Sequence, residues 1–369
     1  MKKNIALVTW LGGGNYGTSL QSYALHKKLE LLGYYPYFLH YFKRPFTFKA
    51  YIKNVLRLLG CSFLFQRNRK KGTKYAKLNT FQQKEYNQLH IDTEGQYREL
   101  LKKIDVFLTG SDQIWNTYYY YNPFNFLDFA QGKKKVAYAS SIGTSSVPEE
   151  YASSIKTHLQ QFNYIGVREE SAVKVLTELT GRTDIVQVLD PTFLLTENEW
   201  RDMGNGAVLE FQLPSHYMLC YLIGKNERYV REVEDIRKQL RIDNIIIVPS
   251  EENPDFMIDG AFVYQNAGPV EFVFLINNAS VVCTDSFHAS AISINLSKPF
   301  VELLRFNDTD KASQNARIYD LLKHYHLEDR LYAQNKEGWL ETIDYSSVQE
   351  ILSEDRTKSL NYLVTSIEN

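Results

Sequence analysis

"KNIALVTWLGGGNYGTSLQSYALHKKLELLG", residues 3–33, decides the fold. Its first residues form a continuous apolar run, as a strand buried on both faces requires. Glycines then break the run. Beyond them Leu20, Tyr23, Ala24, Leu29 and Leu32 recur at helical spacing, and Gly33 supplies a stop. Strand, glycine turn and helix in that order open a doubly wound α/β domain.

The pattern repeats along the chain. "YYPYFLHYF" (34–42) reads as the next strand, "IDVFLTGSDQIWN" (104–116) as a strand and polar turn, and "KKVAYASSIG" (134–143) as another strand. "FNYIGVREESAVKVLTELTG" (162–181) is strand, turn and helix, and "IVQVLDPTFLL" (185–195) a strand ending in a turn. "DMGNGAVLEFQLPSH" (202–216) has glycines, a proline and no periodicity, so a linker is expected there. A second alternating region follows, from "YMLCYLIG" (217–224) through "GPVEFVFLINNA" (268–279) and "SVVCTDSFHASAISINL" (280–296) to "KPFVELL" (298–304). The tail is helical and amphipathic. The expected architecture is α/β, with two Rossmann-like domains facing across a cleft. The first spans 1–205 with a basic insertion at 41–84, the second spans 216–330, and a helical tail occupies 331–369.

Composition narrows the class. Hydrophobic residues make up 44% and charged residues 23%, values of a water-soluble globular chain. A net charge of -1 gives no electrostatic case for nucleic acid. Cys61, Cys220 and Cys283 are scattered, fit neither a disulfide framework nor a metal site, and suit a reducing cytosol. No metal-binding motif, Walker pattern or G-x-S-x-G appears, so neither metal nor cofactor is expected. One bias is local: from Leu31 to Lys84 there is no Asp or Glu, while lysines, arginines and aromatics alternate. Such a segment fits either an anionic lipid surface or a solvated insertion.

Open α/β sheets bind ligands beyond the carboxyl ends of their strands, and the polar turns cluster there. Asn15 and Gly17 follow the first strand, Ser111 and Asp112 follow "VFLTG", and Arg168 follows "YIGV". Ser286, Phe287 and His288 follow "VVCTD". Asp285 or Ser286 can cap the helix that carries His288. A histidine at a helix start meets the positive end of the dipole, so an anion beside it favours its charged form. Alternatively it is a packed residue satisfied by a backbone carbonyl. Arg168 opens a helix whose dipole does not suit it, as an anion ligand would; an ion pair with Glu169 or Glu170 is the other reading. Arg305 and Arg317 add positive charge. Asp190, in "DPT", reads as a turn former.

Five segments in order, "NYGTSLQSYAL", "GSDQIWN", "VREESAVKVL", "VLDPTFLL" and "GPVEFVFLINNASVVCTDSFHASAISINLSKPFV", resemble the polysaccharide pyruvyl transferase family. The resemblance covers nearly the whole chain. It implies a fold like that of GT-B glycosyltransferases and a reaction with phosphoenolpyruvate as co-substrate. A pyruvyl group would pass to two hydroxyls of a sugar, on a glycan or lipid-linked saccharide acceptor, giving a cyclic ketal and phosphate. His288 matches the family's catalytic histidine and Arg168 an arginine tied to the donor. Where better-studied members have Arg-Leu-His, this chain has Ser286, Phe287 and His288, so Arg305 or Arg317 is expected to replace the missing cation. On this reading His288 is the general acid, Asp112 accepts the proton of the attacking hydroxyl, Ser111 binds the acceptor beside it, and Trp115 is a stacking face for the sugar. The protein is expected in the cytoplasm, with 41–84 touching the inner face of the membrane. The alternative is a nucleotide-sugar glycosyltransferase, with Glu271 as the ribose ligand.

Overall fold

The computed structural model describes residues 2–12, 14–59, 72–308, 313–332 and 337–369. Contacts group the chain into two compact units. One comprises Met1–Trp10, Leu25–Val188 and Tyr362–Asn369; the other comprises Leu11–Ala24 and Leu189–Asn361.

The first unit holds a seven-stranded parallel sheet, ordered β3-β2-β1-β4-β5-β6-β7. Its strands are β1 (Asn4–Val8), β2 (Tyr35–Leu39), β3 (Gln88–Leu89), β4 (Val106–Thr109), β5 (Lys134–Ser140), β6 (Tyr164–Val167) and β7 (Val186–Gln187). β1 lies between β2 and β4, with Ile5 opposite Pro36 on one side and Val106 on the other. Strand order reverses beside β1, the place where doubly wound sheets bind ligands. The connecting helices are α1 (Tyr16–Leu31), α2 (Phe48–Leu58), α3 (Thr73–Glu85), α4 (Glu94–Lys103), α5 (Glu149–Leu159) and α6 (Glu170–Thr180). Their ends follow from local chemistry. Thr93 and Gln96 form a capping box at the start of α4, and Gly181 closes α6 at φ 75°. Ala6, Val8, Phe107, Ala137, Ile165 and Val167 on the strands share one apolar cluster with Tyr97, Leu159 and Leu176 on the helices.

The second unit has a five-stranded parallel sheet, ordered β10-β9-β8-β11-β12. Its strands are β8 (Met218–Tyr221), β9 (Ile245–Ile247), β10 (Phe262–Val263), β11 (Val281–Thr284) and β12 (Phe300–Glu302). Helices α7 (Glu197–Gly204), α8 (Arg228–Leu240), α9 (Pro269–Asn278), α10 (Phe287–Asn295), α11 (Ala316–His324) and α12 (Tyr345–Glu368) complete it. Met218, Cys220, Ile245, Ile247, Cys283 and Val301 pack with Tyr229, Val233 and Ile236 of α8. Cys220 and Cys283, distant in sequence, are register partners; both are buried and free.

Residues 202–204 of the expected linker close α7, and the division into units falls earlier, between Val188 and Leu189. The reason is packing: Trp200 is fully buried and donates from Nε1 to the Thr192 carbonyl at 2.9 Å, so 189–204 belongs with the second unit. The first turns of α1, up to Ala24, also belong to the second unit, and the last residues of α12 to the first. The basic insertion contains α2 and all of α3 but its last residue, Glu85; its residues 60–71, with Cys61, lie outside the described set.

Candidate active site

In the second unit, local hydrogen bonds fix the start of α10. Thr284 ends β11, and its Oγ1 donates to the Tyr221 carbonyl at 2.6 Å while accepting from Ser286 N. The Asp285 carboxylate turns back onto the sheet. It accepts from Ile223 N and Gly224 N at 2.7 Å each and from the Tyr229 hydroxyl at 2.6 Å. Ser286 is the N-cap, its Oγ facing Ala289 N. Every residue of α10 is buried. Asp285 is therefore committed to the scaffold, and His288 sits on a first turn with little freedom to move.

The His288 imidazole has two defined neighbours. Its Nε2 lies 3.5 Å from Asp190 Oδ2 and makes no hydrogen bond. Asp190 is itself held in place, its Oδ1 accepting from Thr192 N at 3.0 Å and from Thr192 Oγ1 at 2.8 Å. On the other edge lies the backbone of α1. A Cβ built on Gly17 would meet His288 Nδ1 at 2.4 Å and Cβ at 2.9 Å. Glycine is required there for close approach rather than for its backbone angles. The ring thus has a carboxylate facing its Nε2 and the Gly17 backbone against its Nδ1 edge. Asp190 is the functional candidate that sequence reasoning missed. Its signal was present in "VLDPTFLL", but a D-P-T turn is a sufficient local explanation, and the approach to His288 is made across about a hundred residues.

The expected cations of this unit differ in their surroundings. Arg305 lies over Asp285, donating from a terminal nitrogen to the Asp285 carbonyl at 3.2 Å, with Nε 3.5 Å from its carboxylate. That position is one residue from Ser286. Arg317 instead bonds Gln314 Oε1 at 2.8 Å. Nearby, Glu302 is fully buried and bonded to the Ser290 hydroxyl; burial pushes its carboxyl well above the usual carboxylate range, against the pull of that bond. Asn15 caps α1, its Oδ1 accepting from Thr18 N at 3.2 Å, and its Nδ2 reaches Glu252 at 3.5 Å. Gly14, at φ 131°, packs directly on the Glu251 side chain. The glycine turn thus meets carboxylates. Glu271 is buried, and its Oε2 accepts from Gly268 N at 2.9 Å, so it caps its own helix.

In the first unit, Arg168 directly follows β6 and is buried. Its Nε donates to Glu169 Oε1 at 2.9 Å, and a terminal nitrogen lies 3.9 Å from Asp112 Oδ1. The same Glu169 oxygen accepts from Ser141 Oγ at 2.6 Å. The pair with Glu169 was one of the two readings of the sequence; the nearness of Asp112 was not foreseen. Ser111 is buried, and its Oγ accepts from Asp112 N. Trp115 offers no face to a sugar. It is 2% exposed, stacks on Phe126 at 5.4 Å and donates from Nε1 to the Asn125 carbonyl at 3.1 Å. Its bulk serves the core cluster. The exposed aromatics of the same loop are Tyr118, Tyr119 and Tyr120.

Among the described residues no group of His, Cys, Asp and Glu is placed to hold a metal ion, and no helix is long and apolar enough to cross a membrane.

The fold is the α/β fold of GT-B glycosyltransferases. UGT89C1 of Arabidopsis thaliana, solved with UDP-L-rhamnose, is similar over 100% of this chain and 99% of its own, with a TM-score of 0.51 at 9% identity. The UDP-GlcNAc 2-epimerase of Methanocaldococcus jannaschii aligns over 96% of this chain and 94% of its own, with a TM-score of 0.48 at 14% identity. No curated protein matches the sequence. A family model, polysaccharide pyruvyl transferase, matches residues 15–308. The chain belongs to that family and is a transferase.

Proposed function

We propose that the protein transfers the enolpyruvyl-derived group of phosphoenolpyruvate to two hydroxyls of a sugar in a surface polysaccharide or its lipid-linked precursor. The observation that carries the reading is His288, buried at a helix start between the Asp190 carboxylate and the Gly17 backbone, within a chain of this family. The donor is an enol phosphate. His288 gives a proton to its methylene carbon, which becomes the methyl group, and one sugar hydroxyl adds to the neighbouring carbon. The second hydroxyl then displaces phosphate and closes the ketal. Two hydroxyl protons leave: one restores His288, and the other goes to the base Asp112 or departs with phosphate. Asp190 holds the ring and balances its charge. Arg168 takes the donor's carboxylate or phosphate in bidentate fashion. Arg305, beside position 286, supplies the cation that related sequences carry there, with Arg317 in support. Tyr118, Tyr119 and Tyr120 take over from Trp115 as faces for the sugar. A lipid-linked acceptor would be met at the cytoplasmic face of the membrane.

The test is incubation with phosphoenolpyruvate and aryl galactosides, glucosides and mannosides, following acceptor mass and free phosphate together. Equal formation of ketal and phosphate on one acceptor is expected, lost in His288→Asn. Neither product on any acceptor, with thermal stabilisation by nucleotide sugars but not by phosphoenolpyruvate, would instead support the glycosyltransferase reading.

A further inference from the structure

Helix α2 presents its apolar side to water. Its inward side is polar: Gln96 Nε2 donates to Asn54 Oδ1 at 2.8 Å, and Arg57 pairs with the Asp92 carboxylate. Thr47 caps the start, accepting from Ala50 N. Phe48, Tyr51, Ile52, Val55 and Leu58 recur three or four apart and so share one face. All five are exposed, Phe48 by 78% and Leu58 by 77%, and Leu59 beyond them is exposed too. No residue of the helix is buried. A surface helix ordinarily turns such a stripe to the core. Here the inward positions carry the hydrogen-bonding groups, and the stripe stays exposed among the described residues.

Charge identifies the occupant. Lys49 and Lys53 flank the stripe and Lys43 precedes it, all three exposed. Leu31 to Lys84 contains no carboxylate. A second copy docking stripe to stripe would bring like charges together. An apolar face bordered by lysines is instead what lies in the headgroup region of an anionic bilayer, the lysine stems running along the apolar surface to reach phosphate. We propose that α2 seats the first unit on an anionic lipid bilayer, with Phe48, Ile52, Val55 and Leu58 inserted and Lys49 and Lys53 facing the headgroups. The proposal stands on this surface alone and not on the reaction.

The experiment is co-sedimentation of the full chain with vesicles of phosphatidylcholine, or of phosphatidylcholine with phosphatidylglycerol. Binding to the mixed vesicles only is expected. Each lysine removed weakens partitioning about fivefold, from about 1 kcal/mol per basic residue near such a surface. Ile52→Ser with Leu58→Ser should abolish binding while leaving the melting temperature and turnover of a water-soluble glycoside unchanged. Equal binding to neutral and anionic vesicles, binding to neither, or full binding by the folded double variant would overturn the proposal. So would a concentration-dependent dimer that the double variant dissolves, which would assign the stripe to a second copy. Failure here leaves the soluble-acceptor assay untouched, so the two readings fall separately.

Discussion

Gly17→Ala is the smallest change that reaches the proposed acid. One methyl group is added on the first turn of α1, where its carbon would lie 2.4 Å from His288 Nδ1, 2.8 Å from Cγ and 2.9 Å from Cβ. Carbon and nitrogen in van der Waals contact stand near 3.5 Å, so the ring or the helix must give by about 1 Å. The ring has little room. Its Cβ belongs to a fully buried helix, and Asp190 stands on its Nε2 side. Overpacking of this kind costs about 1–3 kcal/mol. Alanine returns up to about 1 kcal/mol of helix propensity over glycine. The net effect on stability is therefore a loss between about 0 and about 3 kcal/mol. The effect on catalysis is separate, because a 1 Å misplacement of a catalytic group costs about a hundredfold. Steady-state ketal formation and a thermal melt, run on the same preparation, separate the two. The expected result is kcat down about a hundredfold in a protein that still melts cooperatively within several degrees of the parent. Unchanged kcat in Gly17→Ala would refute the reasoning, since the proton donor would then tolerate displacement.

Asp190→Asn keeps an acceptor for the Thr192 N–H and hydroxyl but removes the charge facing Nε2; kcat should fall about 10²–10⁴-fold, with KM for the acceptor little changed and the melt intact. A matching rise in KM would assign Asp190 to binding instead. His26 of α1 gives a pH dependence: burial, chiefly, takes its imidazole from an ordinary 6.5 down to about 4. The unfolded chain therefore takes up a proton that the folded chain refuses as pH falls below 6.5. Its contribution to stability is complete above that pH and is lost toward about 4, roughly 2 kcal/mol of it by pH 5. His26→Phe, packing on Phe38 as the imidazole does, should flatten this part of the urea-unfolding profile between pH 7 and 5. A profile as steep as the parent's would remove His26 from the account.

The alternation of apolar strands and amphipathic helices was legible because parallel strands such as Ile5–Val8 and Val281–Thr284 are buried on both faces and leave unbroken apolar runs. The cap that aims His288 was legible too, since Ser286 lies next to the helix it starts. Contacts made across sequence were not. Asp190 explains itself locally as a turn, and Trp115, beside Asp112 in a polar loop, gave no sign that it turns into the core against Phe126 and Phe162. The division of the units was misplaced for the same reason. The absence of periodicity in 202–216 is what the sequence offers, but the seat of Trp200 under Thr192 is a tertiary fact. The segment that holds α2 reads from sequence as basic and aromatic, and composition does not say which face turns inward; Asn54 and Arg57 decide that through Gln96 and Asp92.

The central claim is that the ring of residue 288 protonates the donor. The direct measurement is ketal and phosphate formation by His288→Asn, purified beside the parent and shown by its melt to be folded. Loss of both products by at least a hundredfold is predicted. Ketal formed at the parent's rate by the folded variant would contradict the claim outright.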